Sequence, residues 1–549
     1  MHELPLIAPR RAEMTRQGFW RDETIDDYLR HFAASQPDKP AIIAYSGGRA
    51  VRLSYRELDA VVTRTALGLA RLGVGKGDVV AIQLPNWWHF PVLHLACVRL
   101  GAVTNPLMVI FRQRELRFML RFSRAKVMIV PHAFRGHDFP AMMAGLRGEL
   151  PDLDHVVVAG GSGPDGYDTV FGTGGALGAP DETAADLFAR DKPGADDLIQ
   201  LLYTSGTTGE PKGVMHTSNT LLSNLHPFAE RLGLRAADVI HMPSPLAHQL
   251  GFMYGVVLPV LLGATAVLQD IFDPREMARQ LVQERCTFTM AATPFLNDLT
   301  EYLAQSGIAT PDLRVFVSAG APIPRALVTR ASAVMGASII SAWGMSENGA
   351  VTTTSPSDSL EKIFNTDGHA LAGMAVRVVD VRDEVVPSGT DGRLQVRGCS
   401  NFAGYLKRPD LNLIDADGWF ETGDIARMDE DGYIRISGRS KDIIIRGGEN
   451  IPVVEIENLL FRHPAIAEVA IVGAPDPRLG ERACAYVVTR PNKGLTFEEM
   501  TAFLLEQQIA TQYLPERLSV VEALPRTPSG KIQKFKLREL AKGEGQEPL

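Results

Sequence analysis

The sequence predicts an α/β fold with largely parallel sheets, and three observations carry that expectation. Short apolar runs of strand character alternate with helical stretches from the N-terminus to about Ser318, the pattern of strands joined by crossover helices. From Arg377 the texture changes to short strands broken by Gly turns, which reads as a small β-rich lobe. Beyond Ser440 the tail 441–549 is long enough to be a domain of its own, compact and α+β. With 549 residues the chain has room for three or four structural lobes and an ample core.

In chain order, Ser54 and Glu57 stand at capping-box spacing, and Leu58, Val61, Val62, Thr65, Leu69 and Leu72 behind them keep helical periodicity until Gly73 ends the helix. Val79–Leu84, Val127–Val130, His155–Ala159, Leu198–Tyr203 and Val315–Ser318 read as strands, with helical stretches such as Pro274–Glu284 between them. Gly160–Ala179 is rich in Gly, Asp and Pro and reads as a surface loop between subdomains. Inside it Gly161, Gly163 and Gly166 match a dinucleotide fingerprint. Pro164 and Asp165 occupy its turn, however, and the following YDTVFGTGG is not expected to open a helix, so the phosphate site is missing. Gly251–Leu268 runs 18 residues without a charge, at the lower limit of a membrane span. Pro259 and Gly263 interrupt it and no basic cluster flanks it, so it is expected to divide into a buried helix capped near Gly263 and a short strand, ATAVL. VRVVDV, GRLQVRG and GYIRISGR supply the strands of the β-rich lobe.

Composition narrows the function. With 45% hydrophobic and 22% charged residues the chain reads as globular, and 50 Gly and 35 Pro are too few for a low-complexity or collagenous protein. The balance of 56 basic against 64 acidic residues, net −8, gives no electrostatic reason to expect nucleic acid as a ligand. Cys97, Cys286, Cys399 and Cys484 form no CxxC pair, and MHELPLIAPRRAEMTRQ lacks the apolar core of a secretory signal; both favour the reducing cytoplasm. There is no HExxH and no GxSxG.

The densest chemistry lies in Tyr203-Thr-Ser-Gly-Thr-Thr-Gly-Glu-Pro-Lys-Gly213, directly after the strand LIQLLY. Gly206, Gly209 and Gly213 allow close backbone approach to a ligand. Thr204, Ser205, Thr207 and Thr208 bring hydroxyls, the exposed N–H groups of such a loop can form an anion nest, and Lys212 adds positive charge. This chemistry suits a polyphosphate. It is not the Walker pattern, because Glu210 and Pro211 separate Gly209 from Lys212.

YTSGTTGEPKGV resembles the signature of the adenylate-forming superfamily of acyl-CoA and aryl-CoA synthetases, luciferases and peptide-synthetase adenylation domains. Five more motifs follow in that family's order: SAGAP (318–322), AWGMSENG (342–349), GWFETGD (418–424), GYIRISGRSKDIIIRGGENI (432–451) and PRTPSGKI (525–532). The resemblance covers essentially the whole chain. It implies an α/β fold with a large N-terminal AMP-binding domain, 1–440, of layered α/β subdomains plus the β-rich lobe, and a small mobile α+β C-terminal domain, 441–549, hinged near Lys441.

The resemblance also implies roles. Thr204, Ser205, Gly206, Thr207, Thr208, Gly209 and Lys212 would hold the phosphates, and Gly320, Ala321 and Pro322 would line the adenine and acyl sites. Ala342, Trp343, Gly344, Met345 and Ser346 form the adenine-binding strand, where Trp343 replaces the tyrosine of many relatives as a flat stacking face. Glu347, together with Thr208, would bind Mg²⁺, a hard ion suited to a carboxylate; taken alone, a glutamate is usually a solvated charge. Asp424 and Arg439, with Ile436 nearby, match the pair that holds the ribose hydroxyls, although as bare residues they could be a structural ion pair. Arg446, Gly447, Gly448 and Glu449 resemble the loop near the coenzyme A pantetheine tunnel. Lys441, a surface lysine on any other grounds, takes the hinge role from the alignment alone.

Lys531 takes the main catalytic role that the resemblance implies, bridging carboxylate and α-phosphate to offset their repulsion and stabilise the charge of the transition state. ATP, Mg²⁺ and coenzyme A follow as cofactors, with a small-molecule carboxylate as the other substrate. The expected reaction is ATP-dependent formation of acyl-adenylate and pyrophosphate, then domain rotation about Lys441 and thiol displacement of AMP.

Substrate choice is expected between PSPLAHQLGFMYGVV (243–257) and the strand ends, with His248, Gly251, Phe252, Ser318, Gly320, Met345 and Ala350 as lining and His248 at the mouth. A lone histidine is also often structural. That segment holds no Lys or Arg to pair a second carboxylate, which points to an uncharged acyl group in an apolar pocket. Its texture is most similar to ligases for short- to medium-chain and alicyclic acids, cyclohexanecarboxylate–CoA ligases included. An adenylating enzyme that loads a separate carrier protein and a non-catalytic nucleotide-binding protein are the alternative readings. A lysine acetyltransferase and deacetylase acting on Lys531, whose acetylation would remove its charge, and a homo-oligomeric state are compatible with the sequence.

Overall fold

The computed structural model describes residues 4–173, 188, 192–204, 211–320, 323–439, 444–446, 449–476, 478–527 and 530–543. Two sheets make up most of the N-terminal region. In the nine-stranded sheet the strands 338–345, 315–319, 288–292, 239–242, 265–269 and 40–46 lie side by side and parallel. Antiparallel strands close its two edges, Arg49–Ser54 on one side and Gly349–Thr353 with His369–Ala370 on the other. The seven-stranded sheet has the parallel strands 198–204, 103–106, 79–82, 127–131 and 155–159, and the antiparallel pair Lys212–Thr217 and Gly404–Tyr405 extends it. Its strands are almost wholly buried, as parallel strands covered on both faces must be. The lobe expected after Arg377 is a four-stranded antiparallel sheet of Met374–Val379, Gly392–Gly398, Phe420–Met428 and Ile434–Arg439. The tail folds around its own five-stranded sheet, with helices 453–460, 497–506 and 534–543 and separate apolar clusters.

Local sequence signals account for most element boundaries. The helix Tyr55–Arg71 starts at a complete Ser54/Glu57 capping box, buries Leu58, Val61, Val62, Thr65 and Leu69, and is followed by Gly73 at φ +77°. The expected strands recur within a residue or two, and the helix at Pro274 ends at Gln283. The long uncharged run divides as expected at Gly263, a left-handed cap, before the strand Thr265–Gln269. Among the described residues no helix is long and apolar enough to cross a membrane. All four cysteines are buried as thiols.

Two expectations are corrected. Gly160–Ala179 is not loop throughout its described part: Tyr167–Phe171 is a short helix between Gly166 and a left-handed Gly172. It forms because Tyr167 and Phe171 bury their rings, Tyr167 edge-on to Trp88 and His89 and Phe171 over Gly68. Tertiary burial there outweighs the Gly-rich composition, and the helix end is used for packing. The helical part of the uncharged run is also not one α-helix. Gln249–Phe252 passes into a π-helical turn, Met253–Val257, before Leu258–Leu262 resumes. Such π-turns concentrate at functional sites, and periodicity could not signal this one because every residue in it is buried.

A buried ion network fixes the N-terminal helices. Arg99, only 2% exposed at its side chain, donates to Asp26 and Asp59 at 2.6 Å each and to Thr63 at 2.6 Å. Arg99→Leu should therefore destabilise the protein by about 3–5 kcal/mol, since it takes the buried partner from the Asp26 carboxylate; an unchanged urea midpoint would contradict this. His94, His216 and His241 are fully buried, and burial holds their pKa values down to about 3, 4 and 4. The unfolded chain, with histidines near their ordinary value, therefore takes up more protons than the folded one as pH falls. Stability present above about pH 6.5 should be lost progressively toward pH 4, by up to about 1.4 kcal/mol per histidine per pH unit. A urea midpoint that stays flat across that window would refute it.

Candidate active site

The site is assembled where the carboxyl ends of strands from both large sheets meet the β-rich lobe and the C-terminal tail. Leu198–Thr204 enters the phosphate-loop signature and Lys212–Thr217 leaves it as the neighbouring antiparallel strand, with Thr204 directly opposite Lys212. Ser205, Gly206, Thr207, Thr208 and Gly209 lie outside the described residues, as do Ala321, Pro322, Lys441, Gly447 and Gly448. Lys212 places its ammonium 4.8 Å from the centre of the Tyr405 ring. The Tyr405 hydroxyl donates to Glu347 Oε1 at 2.7 Å. Burial, with the Glu347 charge next to it, pushes the Tyr405 pKa far up, so the phenol stays a donor. Glu347 is 6% exposed. Phosphate-loop lysine, phenol and carboxylate thus form one continuous line.

Residues 342–349 run along and beyond the strand Ser338–Met345. Gly344 is required by its neighbour: a Cβ there would sit 1.8 Å from the Gly349 carbonyl oxygen. The Met345 N–H donates to Asn348 Oδ1 at 3.1 Å, and His216 Nε2 lies 2.7 Å from the Ser346 carbonyl. Asn224 secures the far side, donating to the Asn348 and Ala350 carbonyls at 3.1 and 2.6 Å, while Tyr254 donates to Asn224 at 3.0 Å and accepts from the Ala350 N–H at 2.9 Å. Tyr254 is in the π-turn, which is how that turn reaches the site.

Trp343, 9% exposed, donates from Nε1 to Asp424 Oδ2 at 2.8 Å. Asp424 pairs through its other oxygen with Arg439 Nε at 2.9 Å, the two residues being direct partners across adjacent strands of the lobe. A carboxylate has about four acceptor positions, so these two contacts leave capacity for two ribose hydroxyls. Arg439 is half exposed at its side chain and Asp424 4%, which gives the pair one wet end. Ile436 is fixed on the same strand by its N–H to Asp367 at 2.8 Å.

At the strand ends, Ser318 is buried with its hydroxyl 3.5 Å from Thr293 Oγ1, Ala342 is level with Ala319, and Gly320 at φ +80° has open space where a side chain would stand. His248 caps the helix Gln249–Phe252, its Nδ1 accepting from the Leu250 N–H at 3.4 Å. Burial, reinforced by the facing Lys531 ammonium, holds the His248 pKa down to about 4. Gly251 does not face the site openly: a Cβ there would meet the Pro245 carbonyl oxygen at 2.1 Å. Phe252 is fully buried and turns its ring toward His94, 4.5 Å between centroids.

The C-terminal turn is docked against the N-terminal region. Gly530, at φ +86°, fits so closely that a Cβ would lie 3.2 Å from Phe295 and 3.4 Å from Ala292 and Pro294 at the start of helix Thr293–Ser306. Thr527 Oγ1 accepts from the Lys531 N–H at 3.0 Å and the Thr527 N–H donates to the Lys531 carbonyl at 2.8 Å, which ties the lysine backbone to Thr527. Arg490 reaches Glu301 of the same N-terminal helix at 3.2 Å. Arg446 pairs with Glu516 at 2.9 Å.

Sequence reasoning missed Tyr405, Asn224, Tyr254 and the docking residues Pro294 and Phe295. Each lies far in sequence from the motif it serves, so no local spacing marks it. Among the described residues no three of His, Cys, Asp and Glu gather as a metal cage. A single buried carboxylate suits Mg²⁺, which keeps waters and takes phosphate oxygens beside one or two carboxylates.

Similarity to known proteins identifies the family. The family model for AMP-binding enzymes matches residues 29–406, and that for the AMP-binding enzyme C-terminal domain matches 455–531. The chain is 39% identical over 535 residues to a medium-chain fatty-acid–CoA ligase of Escherichia coli (strain K12), covering 96% of this chain and 92% of the relative. It is 33% identical over 536 residues to a salicylyl-CoA synthase / salicylate adenylyltransferase of a Streptomyces species, covering 96% and 95%. Among solved structures it is similar to the anthranilate–CoA ligase AuaEII in complex with anthranoyl-AMP, with a TM-score of 0.84 at 25% identity, covering 96% of this chain and 98% of that one. The chain therefore belongs to the AMP-binding enzyme family, the adenylate-forming superfamily.

Proposed function

We propose that this protein is an ATP-dependent carboxylic acid–CoA ligase, forming acyl-adenylate and pyrophosphate and then acyl-CoA and AMP. The observation that carries the reading is the docked turn: Gly530, next to Lys531, packs against Ala292, Pro294 and Phe295, and the Lys531 charge acts on His248 within the segment expected to select the acid. A carboxylate and a triphosphate repel each other, and a fixed ammonium between them offsets that repulsion while stabilising the charge that grows at the α-phosphate. With its pKa held down, His248 stays neutral beside Lys531 and shapes the mouth of the acyl site without adding charge.

Asp424 and Arg439 hold the ribose, Trp343 supplies the adenine face, and Lys212 with the loop 204–209 takes the phosphates. Glu347 and Thr208 hold Mg²⁺, which would neutralise phosphate charge. The domains are 1–440 and 441–549, with rotation near Lys441 withdrawing Lys531 before coenzyme A enters past 446–449. The named E. coli relative and the uncharged 243–257 segment support a short- to medium-chain or alicyclic acid, cyclohexanecarboxylate being the single acid we would test first. Relatives named for salicylate and anthranilate make aromatic acids the comparison set. Lys531 is exposed, which suits control by acetylation, and the reaction belongs in the cytoplasm.

Lys531→Ala should abolish acid-dependent pyrophosphate exchange and spare thioester formation from preformed acyl-AMP; equal loss of both half-reactions would overturn its role. Asp424→Ala should raise the KM for ATP roughly 10- to 100-fold, the loss of charge-assisted hydrogen bonds. An unchanged KM would show that Asp424 does not hold the ribose.

A further inference from the structure

The segment 402–406 crosses from Glu347 to the phosphate-loop strand, and its backbone is tied at both ends. The Phe402 N–H donates to the Glu347 carbonyl at 2.7 Å, and the Leu406 N–H donates to the Gly213 carbonyl at 2.8 Å. Between them Tyr405 is level with Val214 and Gly404 with Met215. The Tyr405 N–H donates to Asn412 Oδ1 at 3.0 Å. Phe402, Ala403, Tyr405 and Leu406 are 0–5% exposed. The Tyr405 ring stands edge-on to Phe402, 4.7 Å between centroids. Backbone bonds and ring packing together leave the phenol oxygen little freedom.

That hydroxyl donates to Glu347 Oε1 at 2.7 Å, and among the described residues it is the only hydrogen-bond donor to the carboxylate. Oε2 is left without a donor there, yet it is not one of the unpartnered atoms sealed from water, so it stays open to a ligand. The carboxylate is divided: one oxygen is held and the other is presented. The contact also fixes the plane of the carboxylate, and with it the direction of the Oε2 lone pairs. Lys212, 4.8 Å from the ring centre, attracts the face of the same ring and keeps it in register with the phosphate side. A tyrosine that only filled the core would need no acceptor. A buried carboxylate that only needed compensation would be better served by a cation in direct contact.

We infer that Tyr405 is a positioning residue for the divalent cation: its hydroxyl holds Glu347 Oε1 so that Oε2 is aimed at the cation accompanying the nucleotide phosphates. This rests on the ligase reading, in which Glu347 is the Mg²⁺ ligand, and adds the residue that orients it. Tyr405 itself touches neither cation nor nucleotide. Partners that orient a metal ligand in this way typically cost roughly 10- to 100-fold in metal affinity or activity when removed.

The test uses binding in place of turnover. The full-length enzyme is titrated by calorimetry with α,β-methylene-ATP, which cannot be cleaved at its α-phosphate, once in Mg²⁺ and once in EDTA. The ratio of the two dissociation constants is the gain in nucleotide affinity that the cation brings. In Tyr405→Phe, which keeps the ring and removes only the hydroxyl, that gain should fall roughly tenfold or more. The dissociation constant in EDTA should stay at the wild-type value, with the thermal unfolding midpoint recorded alongside. Equal gains in wild type and folded Tyr405→Phe overturn the positioning role. So does a Tyr405→Phe that weakens binding equally with and without Mg²⁺, because that is the mark of a purely structural residue. Glu347→Gln separates the two readings. A gain lost in Glu347→Gln but kept in Tyr405→Phe leaves the ligase reading standing while the positioning role fails. A gain kept in Glu347→Gln overturns Glu347 as the ligand and the positioning role with it. No gain in the wild-type enzyme overturns both, and this needs no variant.

Discussion

The buried carboxylate of Asp424 is the constraint on which the site depends. It sits at the seam between the nine-stranded sheet and the β-rich lobe, and a charge so buried is tolerable only with good partners. Trp343 supplies one from the large sheet and Arg439 the other from the lobe. Those bonds fix an aromatic face, an acceptor and a cation in one register. The same residues that satisfy the seam are therefore those suited to hold a nucleoside, and the folding requirement and the binding requirement coincide.

A second layer of order comes from neutral polar groups. Asn224 and Tyr254 lock the 345–350 turn from behind, His216 holds Ser346, and Tyr405 joins Lys212 to Glu347. These bonds run between elements more than ninety residues apart in several cases, so the phosphate side and the adenine side are held as one unit. The C-terminal tail contacts the N-terminal region through the Gly530 turn on Pro294 and Phe295, the Arg490–Glu301 pair and Phe461, which packs against the apolar cluster of the nine-stranded sheet.

Glycine spacing, capping residues and short continuous apolar runs made much of the chain legible. Ser54 with Glu57 marked a helix start, Gly263 a helix end, and LIQLLY the strand that feeds the phosphate loop. Where composition misled, burial was the cause. Tyr167 and Phe171 fold a Gly-flanked stretch into a helix because their rings find a core, and the Met253–Val257 turn shifts to π geometry inside a segment too uniformly apolar to show any period.

By itself the sequence determined the class of chemistry: co-ordered motifs carry hydroxyls, glycines, a carboxylate pair and two lysines whose types and order suit acid activation by a nucleotide, and residue type is a local property. Only the tertiary structure decided which groups meet. Trp343 finding Asp424, Tyr405 reaching Glu347, Gly530 seating on Phe295 and Gln200 meeting Gln249 are encounters between distant segments. They are set by sheet register and domain docking, and no spacing along the chain encodes them. The net charge of −8 has the same lesson. A global excess of acid says little about binding phosphates, because the field that matters is made by a few cations brought together after folding.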